Sequence, residues 1–219
     1  MAVANDLWQA HQALALACLE HPFVRGLGDG SLARDRFAYY VGQDAFFLES
    51  FLRAYCIAAA KAPDWQGAQV FHQLAQGVLA ELKLHQSYAK QWQVDLAEVK
   101  AGSATRRYTD FLLATAWRHE VGITTAAMLP CMKLYSYLGQ QLAQDGIPEH
   151  QYSDWIDTYS SDEFSPLVEQ LEQLAEQYTP DSAMAFGRSE TIARDTYGYA
   201  MQCEFDFFQA AWDTNSQSI

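Results

Sequence analysis

Residues 32–61 read LARDRFAYYVGQDAFFLESFLRAYCIAAAK, a stretch with no proline and a single glycine. Within it Tyr40, Asp44, Phe47 and Phe51 fall at i, i+4, i+7 and i+11, the spacing that places side chains on one face of a helix. Clean period-two runs bounded by turn residues are missing here and elsewhere, so the stretch predicts a long helix and the whole chain an all-α fold. The same face carries a lone carboxylate, Asp44, among aromatic rings. A buried carboxylate needs partners, and two readings stay open: Asp44 hydrogen-bonds a core tyrosine, or it holds a ligand.

Outward from this segment, helical spacing predicts further helices over 7–20, 63–92, 105–142, 152–158, 165–178 and 182–212. The first is expected to stop before His21-Pro22, because the residue before a proline avoids the α region. Arg25-Gly26-Leu27-Gly28-Asp29-Gly30 supplies three glycines and predicts a turn, with Ser31 placed as an N-cap for the helix that follows. Gly122 and Pro130 interrupt the 105–142 segment, and an interior proline removes one backbone hydrogen bond and kinks a helix. No repeat, low-complexity tract or linker divides the chain, so one domain over 1–219 is expected.

Composition narrows the class. Half of the 219 residues are hydrophobic, 14% are aromatic and 19% are charged, enough to bury a large core. Twelve Gly and six Pro fall below the roughly 12% these two average together, in keeping with long uninterrupted helices. A formal net charge of -13 opposes binding to phosphate backbones, so no nucleic-acid partner is expected. The N-terminus lacks a cationic start followed by an apolar run, and no stretch reaches about 18 apolar residues. No membrane partner and a cytoplasmic location follow as expectations. Cys18, Cys56, Cys131 and Cys203 are scattered singly with no C-x-x-C pair and read as reduced thiols.

Several clusters carry candidate chemistry. His119-Glu120, Glu81 with His85, Glu49 and His72 suggest a carboxylate-histidine metal site. The pattern falls short, since a di-iron bundle uses Glu-x-x-His on each of two helices and Glu81 to His85 is one residue longer. His11 in the first helix is a conceivable haem ligand, but a lone helical histidine is more often a packing residue. No metal and no cofactor are expected. Cys131 and Tyr135 lie one turn apart just after Pro130, so thiol and phenol face the same way. Cys131 is then either a small core residue or a nucleophile whose pKa something lowers, and Lys133 at i+2 points elsewhere. Glu204 lies in an aromatic stripe with Tyr197, Phe205 and Phe208. Burial there raises a carboxyl pKa and suits a general acid; the alternative is a core-edge glutamate paired with a tyrosine.

Taken in order, these segments resemble the TenA family, the thiaminase II or aminopyrimidine aminohydrolase group of the haem-oxygenase-like all-helical superfamily. The resemblance rests on His21-Pro22-Phe23-Val24 with Gly26-Leu27-Gly28-Asp29-Gly30, on Phe37-Ala38-Tyr39-Tyr40-Val41 through Gln43-Asp44, and on Leu129-Pro130-Cys131 with Tyr135. Trp155-Ile156-Asp157-Thr158-Tyr159 and the aromatic surroundings of Glu204 add to it. It implies a haem-oxygenase-like multi-helix bundle, a homotetramer and a place in thiamin salvage. It further implies that Cys131 is a catalytic cysteine, Glu204 a catalytic glutamate and Asp44 the residue that hydrogen-bonds an aminopyrimidine. Phe47, Tyr108, Tyr135 and Tyr159 resemble pocket residues. Cys131 places the chain in the cysteine-containing branch. Ser160-Ser161 and Cys203 depart from the family pattern, which often has a glycine pair and an aromatic there.

The chemistry explains these residue types. A thiolate adding at C6 of the pyrimidine makes an enamine that can expel the substituent on the C5 methylene, and an acid protonating N1 lowers the barrier. The expected partner is thus a small-molecule aminopyrimidine or thiamin, hydrolysed to 4-amino-5-hydroxymethyl-2-methylpyrimidine. Two other readings stay open: a module that binds a pyrimidine without turning it over, and a haem-oxygenase-like metal oxidase.

Overall fold

The computed structural model describes residues 2–179 and 188–214, with the side chains of all of these except residues 2, 84–88 and 188–190. Ten helices follow one another, and no described residue lies in a strand: α1 Ala2–Ala10, α2 Gln12–Leu19, α3 Pro22–Gly28, α4 Arg34–Lys61, α5 Trp65–Gln91, α6 Ser103–Arg118, α7 Val121–Leu142, α8 Ser153–Ser160, α9 Ser165–Tyr178 and α10 Arg188–Trp212. The all-α reading thus holds. Helix α4 packs against α5, α6, α7 and α10, and α7 against α8, α9 and α10. Helix α7 is apolar on nearly every side and buried along most of its length, the signature of a central helix. Behind the site, Phe23, Tyr40 and Phe208 pack as a ring cluster with centroids 5.3 to 6.4 Å apart. Each such buried ring contributes on the order of 1.5–3 kcal/mol, which ties α3, α4 and α10 together.

Several boundaries differ from the sequence-based expectations. The 7–20 segment is two helices, broken at His11, whose Nδ1 lies 2.8 Å from the Leu7 carbonyl and whose ring packs on Tyr197. The segment does stop before His21-Pro22, at Leu19, and Pro22 in turn opens α3. His21 is extended, as a residue before proline must be, and its ring nitrogen caps the helix by accepting the Phe23 N–H at 3.1 Å, while Pro22 needs no N–H partner in the first turn. Gly26 and Gly28 are therefore helical, and the turn falls later, at Gly30 with φ +78°. Ser31 is no cap: its N–H donates to Asp29 Oδ1 at 2.9 Å, and α4 begins three residues on.

The 105–142 segment breaks at His119-Glu120 into α6 and α7. Lys61, at the end of α4, donates to the carbonyls of Ala116 (2.7 Å), Trp117 (3.2 Å) and His119, filling acceptors that the end of α6 leaves open. Pro130 lies inside α7, which runs on to Leu142. The final helix, expected over 182–212, is seen from Arg188; residues 182–187 lie outside the described residues. Among the described residues no helix is long and apolar enough to cross a membrane.

One glycine sets the geometry of the site. A Cβ on Gly139 would stand 2.5 Å from the Tyr159 carbonyl carbon and 2.7 Å from the Ser160 nitrogen, closer than packed atoms allow. Without a side chain there, the end of α8 can lie directly on α7. That contact puts Tyr159 beside Tyr135, one turn before Gly139, with ring centroids 4.9 Å apart in an edge-to-face pair.

Candidate functional site

Four helices wall a narrow cleft with about 20 Å³ of free space. Helix α4 supplies Asp44 and Phe47, α5 supplies Glu81, α7 supplies Cys131 and Tyr135, and α8 supplies Tyr159. That is room for about one water, so a ring-sized ligand enters only as the side chains lining the cleft move apart. The α4 spacing read from the sequence explains why Asp44 and Phe47 share a face, and the α7 spacing why Cys131 and Tyr135 do.

Behind Cys131 stands Glu204 from α10, 2% exposed. Its carboxyl accepts a 2.7 Å hydrogen bond from the Tyr108 hydroxyl of α6, and the Cys131 thiol lies near enough to influence its ionisation. The paired-tyrosine and acidic-group readings of Glu204 are therefore compatible. Arg107 and Asp206, neighbours of the Tyr108–Glu204 pair, form an ion pair between the same two helices. On the other side, the Trp155 indole donates to the Tyr40 hydroxyl (3.2 Å), which donates to the Tyr135 hydroxyl (3.3 Å). Phe47 packs on Tyr108 with centroids 4.9 Å apart. These contacts hold Glu204, Tyr108 and Tyr135 against their neighbours in the closed cleft.

Electrostatics in the cleft are dominated by carboxylates. Burial, reinforced by the charge of Asp44, pushes Glu204 from 4.5 up to about 8, against the opposing hydrogen bond from Tyr108 and the nearby Cys131 thiol. Burial also pushes the Cys131 thiol well above its usual range, and the charges of Glu204, Asp44 and Glu81 add to that. Lys133 does not relieve it, since its ammonium pairs with Glu172 of α9 at 2.7 Å. Burial therefore favours a neutral thiol beside a protonated acid at rest. Such a pair can pass a proton as sulfur forms a bond, without a free thiolate.

All seven residues singled out in the sequence come together: Asp44, Phe47, Cys131, Tyr135 and Tyr159 line the cleft, and Tyr108 and Glu204 form the hydrogen-bonded pair behind it. Cys203, next to Glu204, is buried and does not line it. Ser161 shapes the rim: its hydroxyl donates to the Thr158 carbonyl at 2.8 Å and accepts the Phe164 N–H at 3.2 Å, turning Phe164 into the cleft. Sequence reasoning missed Glu81 as a lining residue, weighing it only beside His85 in a metal motif that fell short; the side chain of His85 lies outside the described residues. Glu49 instead pairs with Arg53 at the surface, 3.6 Å away. Among the described residues no three His, Cys, Asp or Glu side chains gather in a metal-binding group.

Comparison with known proteins agrees with this architecture. Residues 8–214 match the TENA/THI-4/PQQC family, and the chain belongs to it. A relative from Arabidopsis thaliana, the bifunctional TH2 protein, mitochondrial, is 35% identical over 95% of this chain, which spans only 37% of that protein's length. An aminopyrimidine aminohydrolase of Halalkalibacterium halodurans is 34% identical over 81% of this chain and 82% of its own. Among solved structures, a TenA family transcription regulator from Silicibacter superposes with a TM-score of 0.89 at 24% identity, covering 97% of both chains. Haem oxygenase-1 from the cyanobacterium Synechocystis superposes with a TM-score of 0.63 at 17% identity, over 96% of this chain and 92% of that one. The fold is haem-oxygenase-like.

Proposed function

We propose that the chain is a hydrolase of thiamin salvage that converts 4-amino-5-aminomethyl-2-methylpyrimidine, and thiamin, to 4-amino-5-hydroxymethyl-2-methylpyrimidine through a covalent adduct on Cys131. The observation that carries this reading is the Tyr108–Glu204 hydrogen bond placed behind Cys131, in a cleft lined by Cys131 and Asp44. The name and 34% identity of the Halalkalibacterium relative support the substrate class.

In this mechanism Asp44 holds the 4-amino edge, while Phe47, Tyr135 and Tyr159 enclose the ring and exclude water. As the Cys131 sulfur bonds to C6, its proton passes to Glu204 and a Glu204 proton passes to N1, so the ring gains a proton without a separated charge. The enamine electrons then break the bond between the methylene and its nitrogen, and the amine leaves as ammonia, or the thiazolium as neutral thiazole. Water adds to the methylene and gives up one proton. Loss of the N1 proton and breaking of the C–S bond restore the aromatic ring and the thiol. No step needs a metal or an organic cofactor. A single domain over 1–219, acting in the cytoplasm as a homotetramer, is the setting we propose: the four cysteines are free thiols, suiting a reducing compartment, and Trp65 and Trp117 are 78% and 72% exposed, surface that a second copy would cover.

The test is to incubate the protein with the aminomethylpyrimidine and with thiamin, side by side, and follow the hydroxymethyl product. Catalytic release of that product is expected from at least one of them. Tight binding with no product would replace this reading with that of a pyrimidine-binding module.

A further inference from the structure

Three carboxylates surround the place of reaction, and the mechanism above uses two. Asp44 is given to the C4 edge and Glu204 to N1. The third, Glu81 of α5, lines the same cleft beside Cys131 and Tyr159 and accepts a 3.4 Å hydrogen bond from the Tyr159 hydroxyl. The C5 substituent leaves the ring between C4 and C6, that is, between the edge held by Asp44 and the carbon attacked by Cys131. Among the described lining residues there is no lysine or arginine. A further polar group borders this part of the molecule: the Tyr55 hydroxyl is buried without a hydrogen-bond partner among the described residues and feels the charges of both Cys131 and Glu81.

Resting on the aminopyrimidine reading, we infer that Glu81 is a specificity residue that recognises the positive charge on the leaving group at the C5 methylene. Both proposed substrates carry that charge where the bond breaks. A primary amine like that of lysine is an ammonium at neutral pH, and the thiazolium of thiamin is a permanent cation. The product is a neutral alcohol. Recognition of the cation therefore favours substrate over product at the same ring position, and it lets the product leave. Because the positive charge moves from the leaving nitrogen towards the ring as the bond breaks, Glu81 stabilises the bound substrate at least as well as the transition state. Its contribution belongs in KM rather than in kcat.

The aminomethyl and hydroxymethyl pyrimidines differ only in this group, and together they form the probe. Calorimetric dissociation constants for both compounds are measured on wild type, Glu81→Gln and Glu81→Asp, with KM and kcat for the aminomethyl compound alongside. Loss of a charge-assisted contact is expected to weaken the aminomethyl compound about 10-fold or more in Glu81→Gln, with kcat unchanged or higher. Binding of the hydroxymethyl compound is expected to stay within about twofold, and Glu81→Asp to restore part of the preference for the ammonium. Equal weakening of both compounds would overturn the inference and make Glu81 a support for Tyr159; an unchanged preference in Glu81→Gln would overturn it as well. If wild type binds both compounds but turns over neither, the hydrolase reading falls, while the paired dissociation constants still decide the role of Glu81. Should Glu81→Gln fail to fold, the Glu81→Asp and wild-type pair decides, since a shorter carboxylate that keeps the full ammonium preference over the alcohol contradicts a positioned contact.

Discussion

Replacing Glu204 by glutamine removes one titrating proton from the core, and the structure sets the size of the effect. Glu204 holds its proton up to about pH 8 in the folded chain, whereas an unfolded glutamate releases it near 4.5. Between those values the folded state binds more protons than the unfolded one, so stability falls as pH rises. The contribution is fully present below about 4.5 and is lost by about pH 8, at roughly 1.4 kcal/mol per pH unit, or about 5 kcal/mol in all. That is a large part of the 5–15 kcal/mol typical of a domain. Glutamine keeps the shape and an acceptor for Tyr108 but does not titrate. The prediction is that the difference in unfolding free energy, Glu204→Gln minus wild type, grows with pH from 5 to 8 at close to that slope and levels off above. Urea unfolding of both proteins at fixed protein concentration, in steps of one pH unit, measures it; subtraction cancels the other groups. A flat difference across this range would show that Glu204 is ionised in the folded chain, and the thiol-to-acid proton relay would fall with it.

The neighbours of Glu204 give two further tests. Tyr108→Phe removes a 2.7 Å donor that stabilises the carboxylate; a hydrogen bond to a charged group contributes about 1.5–3 kcal/mol, so the Glu204 titration midpoint should move up by about one unit or more, read by carboxyl NMR. A midpoint that stays or falls contradicts the assigned bond. Gly139→Ala should push α8 off α7, because the new Cβ would meet the Tyr159 backbone at 2.5 Å. A cost of about 1–3 kcal/mol is expected, lowering the melting temperature by roughly 2–4 °C per kcal/mol in a chain of this size; an unchanged melt would mean that the α7–α8 contact is looser than described.

Periodicity made the framework readable. The apolar spacing of 32–61 yields α4 and that of 105–142 the segment that holds α7, and with them Asp44, Phe47, Cys131 and Tyr135 on their shared faces. Glu204 stood out because a carboxylate inside an aromatic stripe is costly and hence informative. The rest depends on contacts between distant segments. Pro22 reads in sequence only as the reason the preceding helix stops; that it also opens α3 shows once the His21 ring is seen capping Phe23. Nothing local to Tyr108 marks it as the partner of Glu204, 96 residues away; only the resemblance to a family singled it out. Glu81 is weighed in sequence only beside His85, as a metal motif that falls short, while its place in the cleft is set by how α5 lies against α4. Gly139 is unremarkable in sequence, and its role appears only when Tyr159 is found against it.

The central claim is that Cys131 forms the bond that makes the methylene substituent leave. Turnover of the aminomethylpyrimidine by Cys131→Ala, set against wild type, tests it most directly, with binding of the hydroxymethyl compound measured in parallel to show an intact cleft. Loss of the nucleophile is expected to reduce kcat by about a thousandfold or more while that binding persists. A Cys131→Ala protein that kept wild-type turnover would contradict the covalent mechanism outright.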